Sequence, residues 1–355
     1  MWRHVTVQWK LAQPLAVGPG WNLGFVNLTR LYVPPRTLWG AFTDALGRCL
    51  LASGCRPGCL DNAPENSPFA AMGGWVERNI RFLPGRFLSR QGQKEERIEP
   101  WYKFGQGMAV CVWSEAPDNQ AVSEIQSTDA VRARYVSGRG QTALNYDTSA
   151  AAEGMLHETE RIMPKILCPS SGLVHDVWLE TRMFVLDEEN HLNYLLAWIK
   201  SHGLDYLRVG RDAAAGDGCF EQVSISQAPP EDIPADDDGT LLTWNLDSRP
   251  GPCLVATAPA GGEPILDLRL PGPLLLSKED EAHITGYWGD CRPYMVREYG
   301  TQKQQTGFGR NIGSLGEKQK WVLEWGGVVS IKKDCLQSTA WLLGKEGFSM
   351  VRRSP

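Results

Sequence analysis

Hydrophobic and polar residues alternate from the start of the chain: Val5, Val7 and Trp9 lie two apart, the period of a strand with one buried face. Pro14 to Asn22 is a Pro/Gly turn region. After Tyr32-Val33-Pro34-Pro35-Arg36-Thr37 the period changes, and Leu38, Phe42, Ala45, Leu46, Cys49 and Leu50 recur at helical spacing. Thr37 is a natural N-cap, so the first unit is predicted as strand, long loop, helix, with Arg36 at the helix's positive end where an anion would be welcome. The alternative for Arg36 is a surface residue beside a polyproline turn.

Strand-like runs follow at Asn79 to Leu83 and Met108 to Trp113, and the charged, glycine-bearing stretch between them, Arg86 to Lys103, reads as an insertion loop. From Gln120 to Pro164 periodicity is weak. So long a structureless segment is uncommon in a compact chain, and when ordered it tends to be a functional lid or binding arm. It contains Arg132, Arg134, Arg139, Tyr146 and His157.

Strong patterning returns with a strand at Val177 to Leu186, a helix marked by Leu192, Leu195, Leu196 and Ile199 and stopped by Gly203, and a strand at Phe220 to Ile225. Further strands are expected at Thr240 to Leu246, Cys253 to Ala258, Leu266 to Leu270 and Lys320 to Ile331. Both halves hold strand, helix and strand. The expected fold is therefore α+β, with two ferredoxin-like (RRM-like) domains bearing long insertion loops, residues 1–165 and a β-rich 166–355.

Between the last helix and its return strand lies Arg208-Val209-Gly210-Arg211, a small-residue loop, then Gly216-Asp217-Gly218. A glycine loop that opens a helix usually cradles a nucleotide phosphate. One that leaves a helix and opens a strand sets backbone amides and flanking arginines on a sheet edge, which suits an extended polyanion better. An ordinary glycine loop with two solvated arginines is the plain alternative.

The 355 residues are long for one core and comfortable for two, with 42% hydrophobic content. No apolar run approaches the roughly 20 residues that span a bilayer, and no leader pattern follows Met1, so a soluble, cytoplasmic protein is expected. Nine scattered cysteines make no disulfide framework, and Cys55 and Cys59 lack a second pair at zinc-ribbon spacing, so reduced thiols and no metal are expected. A net charge of −5 argues against binding nucleic acid by bulk electrostatics. Much of the acid, however, sits in one loop, Glu231-Asp232 to Asp236-Asp237-Asp238, which leaves room for local basic surface.

Three segments in this order resemble the RAMP superfamily of CRISPR-associated effector subunits, in the branch that caps the guide RNA 5′ end in type III complexes. Val33 to Phe42 is similar to the proline loop and Gly-Ala helix after that family's first strand. Thr142 to Asp147 with Ala152 to Glu158 resembles the segment joining its halves, and Gly210 to Gly218 falls where its glycine-rich loop lies, although Asp212-Ala213-Ala214-Ala215 is poorer in glycine and base than is usual there. Gly307-Phe308-Gly309-Arg310 and Trp325 to Val329 look like its closing motifs. The resemblance implies a non-catalytic, cofactor-free subunit that binds the repeat-derived 5′ handle and contacts a backbone subunit and the large subunit. The RNA-binding residues it implies are Arg36, Arg132, Arg134, Arg139, Tyr146, His157, Arg208, Arg211, Gly216, Gly218 and Arg310. Tyr146 and Phe308 could stack splayed bases, or serve a core.

The rival from the same superfamily is a metal-free endoribonuclease processing repeat RNA, which needs a base for a 2′-hydroxyl, an acid and a cation. Of six histidines, His157 is the best candidate base, although Glu158 and Glu160 beside it would oppose a phosphate. A nucleotide-binding enzyme fits poorly: Gly138-Arg139-Gly140-Gln141-Thr142 lacks a P-loop ending, and Gly216-Asp217-Gly218 enters a strand.

Overall fold

The computed structural model describes residues 1–18, 26–53, 68–92, 94–103, 107–115, 121–141, 144–145, 150–151, 157–167, 172–188, 190–210, 216–227, 233–234, 240–248, 251–258, 264–277, 280, 283–293 and 320–352. The architecture is α+β, dominated by antiparallel sheet.

The opening strand, Trp2–Leu11, buries Val5, Val7, Trp9 and Leu11 and half-exposes the residues between. It pairs antiparallel on both sides, with Val174–Leu186 (Val7 opposite Thr181) and with Phe220–Ser226 (Val7 opposite Ile225). Val174–Leu186 pairs in turn with Gly85–Gln91. Numbered along the chain, these strands lie in spatial order four, one, three, two. The first crossover carries the helices Pro35–Ser53 and Pro68–Asn79, and the second carries His191–Tyr206. Leu38, Phe42 and Leu46 of the first helix and Leu192, Leu195 and Ile199 of the last join the strand residues in one core.

The predicted boundary at 165/166 does not divide the packing. Val174–Leu186, His191–Tyr206 and Phe220–Ser226 were expected to open a second half, yet they close the first sheet. Local patterning reports that a strand has a buried face, not which strand it faces. The second core is built from Leu242, Leu254, Leu268, Ile331, Trp341 and Phe348, and takes in Trp2, Leu83 and Phe184 from the first sheet. Its strands form one sheet ordered Ile233–Pro234, Leu241–Asn245, Cys253–Thr257, Thr339–Leu343, Phe348–Arg352, Leu274–Ser277, Lys320–Leu323 and Cys291–Pro293. A smaller sheet is ordered Ile265–Arg269, Val328–Lys332, Ile284–Trp288. The single strand expected over Lys320 to Ile331 is thus two, split by a turn at Gly326 with φ +92°. Among the described residues of this part there is no α-helix, the longest helical segment being the 3₁₀ turn Lys333–Ser338, so these residues do not include the helices a ferredoxin-like half would bring.

Two expected loops are ordered elements. Arg86 to Lys103 is not an insertion: Gly85–Gln91 and Lys94–Lys103 turn at Gly92 (φ +60°), and Gly107–Glu115 and Ala121–Ser127 extend the sheet further. Its charges hid the strands because they satisfy one another on the helix-free face. Arg86 meets Glu99 and Glu180 (2.5 Å to Glu180), Arg90 and Arg97 both meet Glu95, and Ile98 is fully buried on the other side. Likewise the weakly patterned 120–164 holds a strand, the helix Thr128–Tyr135 capped by Ser127, and a hairpin described below. The first helix begins at Pro35 rather than after Thr37, with the Pro34 carbonyl accepting from Thr37 N (2.9 Å), because proline is pre-set for a first helical turn.

Glu180 is 3% exposed on this lattice. Burial alone would raise its carboxyl, but the charges of Arg86 and Arg97 and the hydrogen bonds from Gln8 and Arg86 hold it below its ordinary value. Removing Arg86 leaves that carboxylate buried without its main counter-charge. Arg86→Ala should cost about 3–5 kcal/mol in urea unfolding, against roughly 0.5 kcal/mol for the more exposed Arg97→Ala. Equal small effects would show that the lattice is not what holds these strands.

Candidate nucleic-acid interface

After the helix Thr128–Tyr135 the chain forms an antiparallel hairpin, Val136–Gln141 against His157–Ile162, with Val26–Asn27 added parallel on its inner side. A further short ladder pairs Leu144 with Ala151 and Asn145 with Ala150 towards the tip. Opposed residues share a face, so Ser137 and Arg139 lie with Arg161 and Thr159, while Gly138 and Gly140 lie with Glu160 and Glu158. On the first face Thr159 and Arg161 are buried and Ser137 and Arg139 are exposed. Arg139, between two exposed glycines, is presented on the outer strand.

The root of this hairpin meets the glycine loop. Leu15 and Ile162 exchange backbone hydrogen bonds (2.9 and 2.8 Å), and Gly218 N donates to the Pro14 carbonyl at 2.8 Å, so Pro14 to Ala16 runs between hairpin and loop. Arg161 Nε lies 2.8 Å from Asp217 Oδ2. Two of the glycines serve this packing: a Cβ on Gly210 (φ +92°) would collide with the Ala16 carbonyl, and one on Gly218 (φ +68°) with that of Val209. At Gly216 (φ +97°) no described residue comes within 4 Å of where a Cβ would stand. Its backbone is the part of the turn a ligand could approach.

The sequence-derived candidates therefore separate. Gly216 and Gly218 belong to the turn that packs on the hairpin root, Arg139 lies two residue pairs further out on the same hairpin, and Arg211, with Tyr146 and Arg310, falls outside the described residues. Arg208 donates to the carbonyls of Leu204 (3.2 Å) and Leu207 (2.9 Å), capping the end of its helix where a cation suits the dipole. Arg132 donates to Thr29 O (2.8 Å) and to the Glu160 carboxylate. Arg134 donates to Glu96 (3.0 and 3.2 Å) and to Gln126 (3.0 Å). Arg36 does attract an anion at its helix start, but that anion is Glu346, 2.7 Å away in the second part. Four expected phosphate contacts are thus engaged internally. Arg161 and Asp217 were not singled out; an acid between two glycines, and an arginine in the alternating run Glu158-Thr159-Glu160-Arg161-Ile162, are the signals that could have drawn attention to them.

His157 sits in regular strand opposite Gln141. Among the other histidines, His175 Nδ1 is 3.4 Å from Ser89 Oγ, His191 Nδ1 is 3.2 Å from the Leu186 carbonyl, and His202 contacts Ser201. Among the described residues no group of three or more His, Cys, Asp or Glu could hold a metal, and no helix is long and apolar enough to cross a membrane.

No family model matches the chain, and no curated protein matches it. Solved structures do. Over 98% of this chain and 99% of the other it is similar to a chain of the type III-B Cmr-beta complex bound to cognate target RNA and AMPPnP, at 10% identity and TM-score 0.42. A chain of the same complex with cognate target RNA gives 9% identity and TM-score 0.41 over 99% of each. A chain of the apo Cmr-beta complex gives 9% and 0.35, covering 64% of this chain and 96% of that one.

Burial, and secondarily the charge of Arg182, lowers His4 from its ordinary 6.5 to about 4. The unfolded chain then binds a proton that the folded chain refuses, so stability is complete above pH 6.5 and falls as pH drops from 6.5 towards 4. Glu180 and Asp187, both held below their ordinary values, act lower, losing stability as pH falls beneath the usual carboxylate range. The melting temperature should therefore decline between pH 6.5 and 4.5 in the wild type and decline less in His4→Gln. Parallel pH profiles would mean that His4 does not titrate with folding.

Proposed function

We propose that this chain is a non-catalytic subunit of a cytoplasmic type III CRISPR effector complex, holding the repeat-derived 5′ handle of the guide RNA along its hairpin and its glycine turn while contacting a backbone subunit and the large subunit. The observation that carries this reading is that the hairpin bearing the exposed Arg139 is joined at its root, through Pro14 to Ala16 and the Arg161–Asp217 pair, to the glycine turn that holds Gly216. It also agrees with the order of motifs: a proline loop leading into the first helix, a joining segment that lies mostly outside the described residues between the two strands of the hairpin, and a glycine loop between the last helix and its return strand. The four-strand order four, one, three, two supports a ferredoxin-like first unit.

The chemistry suits single-stranded RNA. Arg139 supplies a backbone-phosphate contact, the glycines at 140 and 216 let the sugar-phosphate chain come close, and a single phosphate contact in an acidic chain gives recognition that needs a neighbouring subunit to complete the groove. His157 in regular strand, with Glu160 already bound by Arg132, supports holding rather than cutting.

The complex purified from a host expressing the whole operon should carry RNA of uniform 5′ sequence. Arg139→Ala should weaken binding of that RNA and lower the magnitude of the salt slope by roughly 0.7, the value for one phosphate contact on a single strand. Arg48→Ala, on an exposed helical ion pair with Asp44, is the charge-matched control and should change neither. Equal effects of both would indicate diffuse electrostatics. Metal-free cleavage of a repeat transcript, abolished by His157→Ala, would replace this reading with the endoribonuclease.

A further inference from the structure

The pair Arg161–Asp217 is unusual for its place. Its side chains are 4% and 10% exposed, and it joins two elements that approach from opposite sides of the Pro14 to Ala16 strip. Arg161 projects from the hairpin's inner strand on the face that carries Ser137 and Arg139. Asp217 stands between Gly216 and Gly218, whose left-handed backbone (φ +97° and +68°) turns it inward. Taking both charges out of water costs several kcal/mol per ion, and an apolar pair of similar volume would often fold as well or better. Net stability is therefore a poor reason for ions here. An ion pair at 2.8 Å instead ties one residue of the hairpin to one residue of the turn, whereas apolar packing would accept neighbouring registers.

We infer that Arg161 and Asp217 are positioning residues. Their contact sets the angle of the hairpin against the glycine turn, and so the spacing between Arg139 and the Gly216 backbone along which consecutive phosphates of a single strand would lie. This rests on the reading that the two together hold RNA. Glu160, on the opposite face of the same hairpin, is held by Thr29 N and by Arg132 of the preceding helix, which braces that face towards Thr29 and leaves the turn side to the Arg161–Asp217 pair.

The test uses the full chain assembled with its operon partners and a synthetic RNA carrying the recovered 5′ sequence. R161M/D217L should keep the wild-type melting temperature while affinity falls about tenfold and the salt slope shrinks. In the RNA-free protein, amide-exchange protection at Ser137 to Gln141 should fall as well. Wild-type affinity in this folded variant overturns the inference, and so does an affinity loss that merely tracks a lower melting temperature. If the apolar pair does not fold, Arg161→Lys, which keeps charge but not the planar fork, takes its place: intact melting with several-fold weaker binding supports positioning, and unchanged binding refutes it. A wild-type complex that binds no such RNA fails the functional reading and this inference together, whereas wild-type binding with unaffected variants fails the inference alone.

Discussion

Everything in the first part of this molecule depends on one strand being paired on both sides. Trp2–Leu11 takes Val174–Leu186 on one edge and Phe220–Ser226 on the other, so the opening strand is held by segments that follow the hairpin in the chain, the second of them following the last helix as well. Pairings so distant in sequence pay loop-closure entropy before any contact repays it, which makes this sheet a late, cooperative product of folding. Its functional consequence is positional. The strand's far end leads into Pro14 to Ala16, and those residues are the strip against which hairpin root and glycine turn both close.

The two faces of that sheet solve different problems. The helix-covered face is a conventional apolar core with Trp9, Phe42, Phe82 and Phe87 fully or almost fully buried. The other carries arginines and carboxylates that neutralise each other, with Arg90 5.1 Å from the centre of the Trp178 ring and Lys10 bridging Asp176 (2.9 Å) and Glu221 (2.7 Å). A face so balanced offers little to a polyanion. That electrostatic argument, as much as the geometry of the turn, favours Arg139 and Gly216 over the helix-free face in the proposed path of the RNA.

How much of this was legible in the sequence depended on whether a residue's pattern was local. The strands at Val5 to Trp9, Val177 to Leu186 and Phe220 to Ile225 and the helices after Pro35 and His191 were readable because burial imposes period two or 3.6 within each element. Gly85–Gln91 and Lys94–Lys103 were hidden because charges occupy one face and also appear on the other, where Glu96 accepts from Arg134 and from Tyr135. Partner choice was not legible, and so the boundary was drawn between strands that share a sheet. The candidate site shows the same division. Glycines near a strand start were visible as a loop, but Arg132, Arg134, Arg36 and Arg208 gave no local sign that their guanidinium groups are spent on Glu160, Glu96, Glu346 and a helix end.

The central claim is that RNA lies along the hairpin root and the glycine turn. Ultraviolet crosslinking of the assembled ribonucleoprotein, with crosslinked peptides identified by mass spectrometry, tests it most directly. The account predicts RNA adducts concentrated in Ser137 to Gln141 and in Arg211 to Cys219. Adducts clustered instead on the helix-free sheet face, around Trp178, Arg97 and Trp113, with none at either predicted segment, would contradict it.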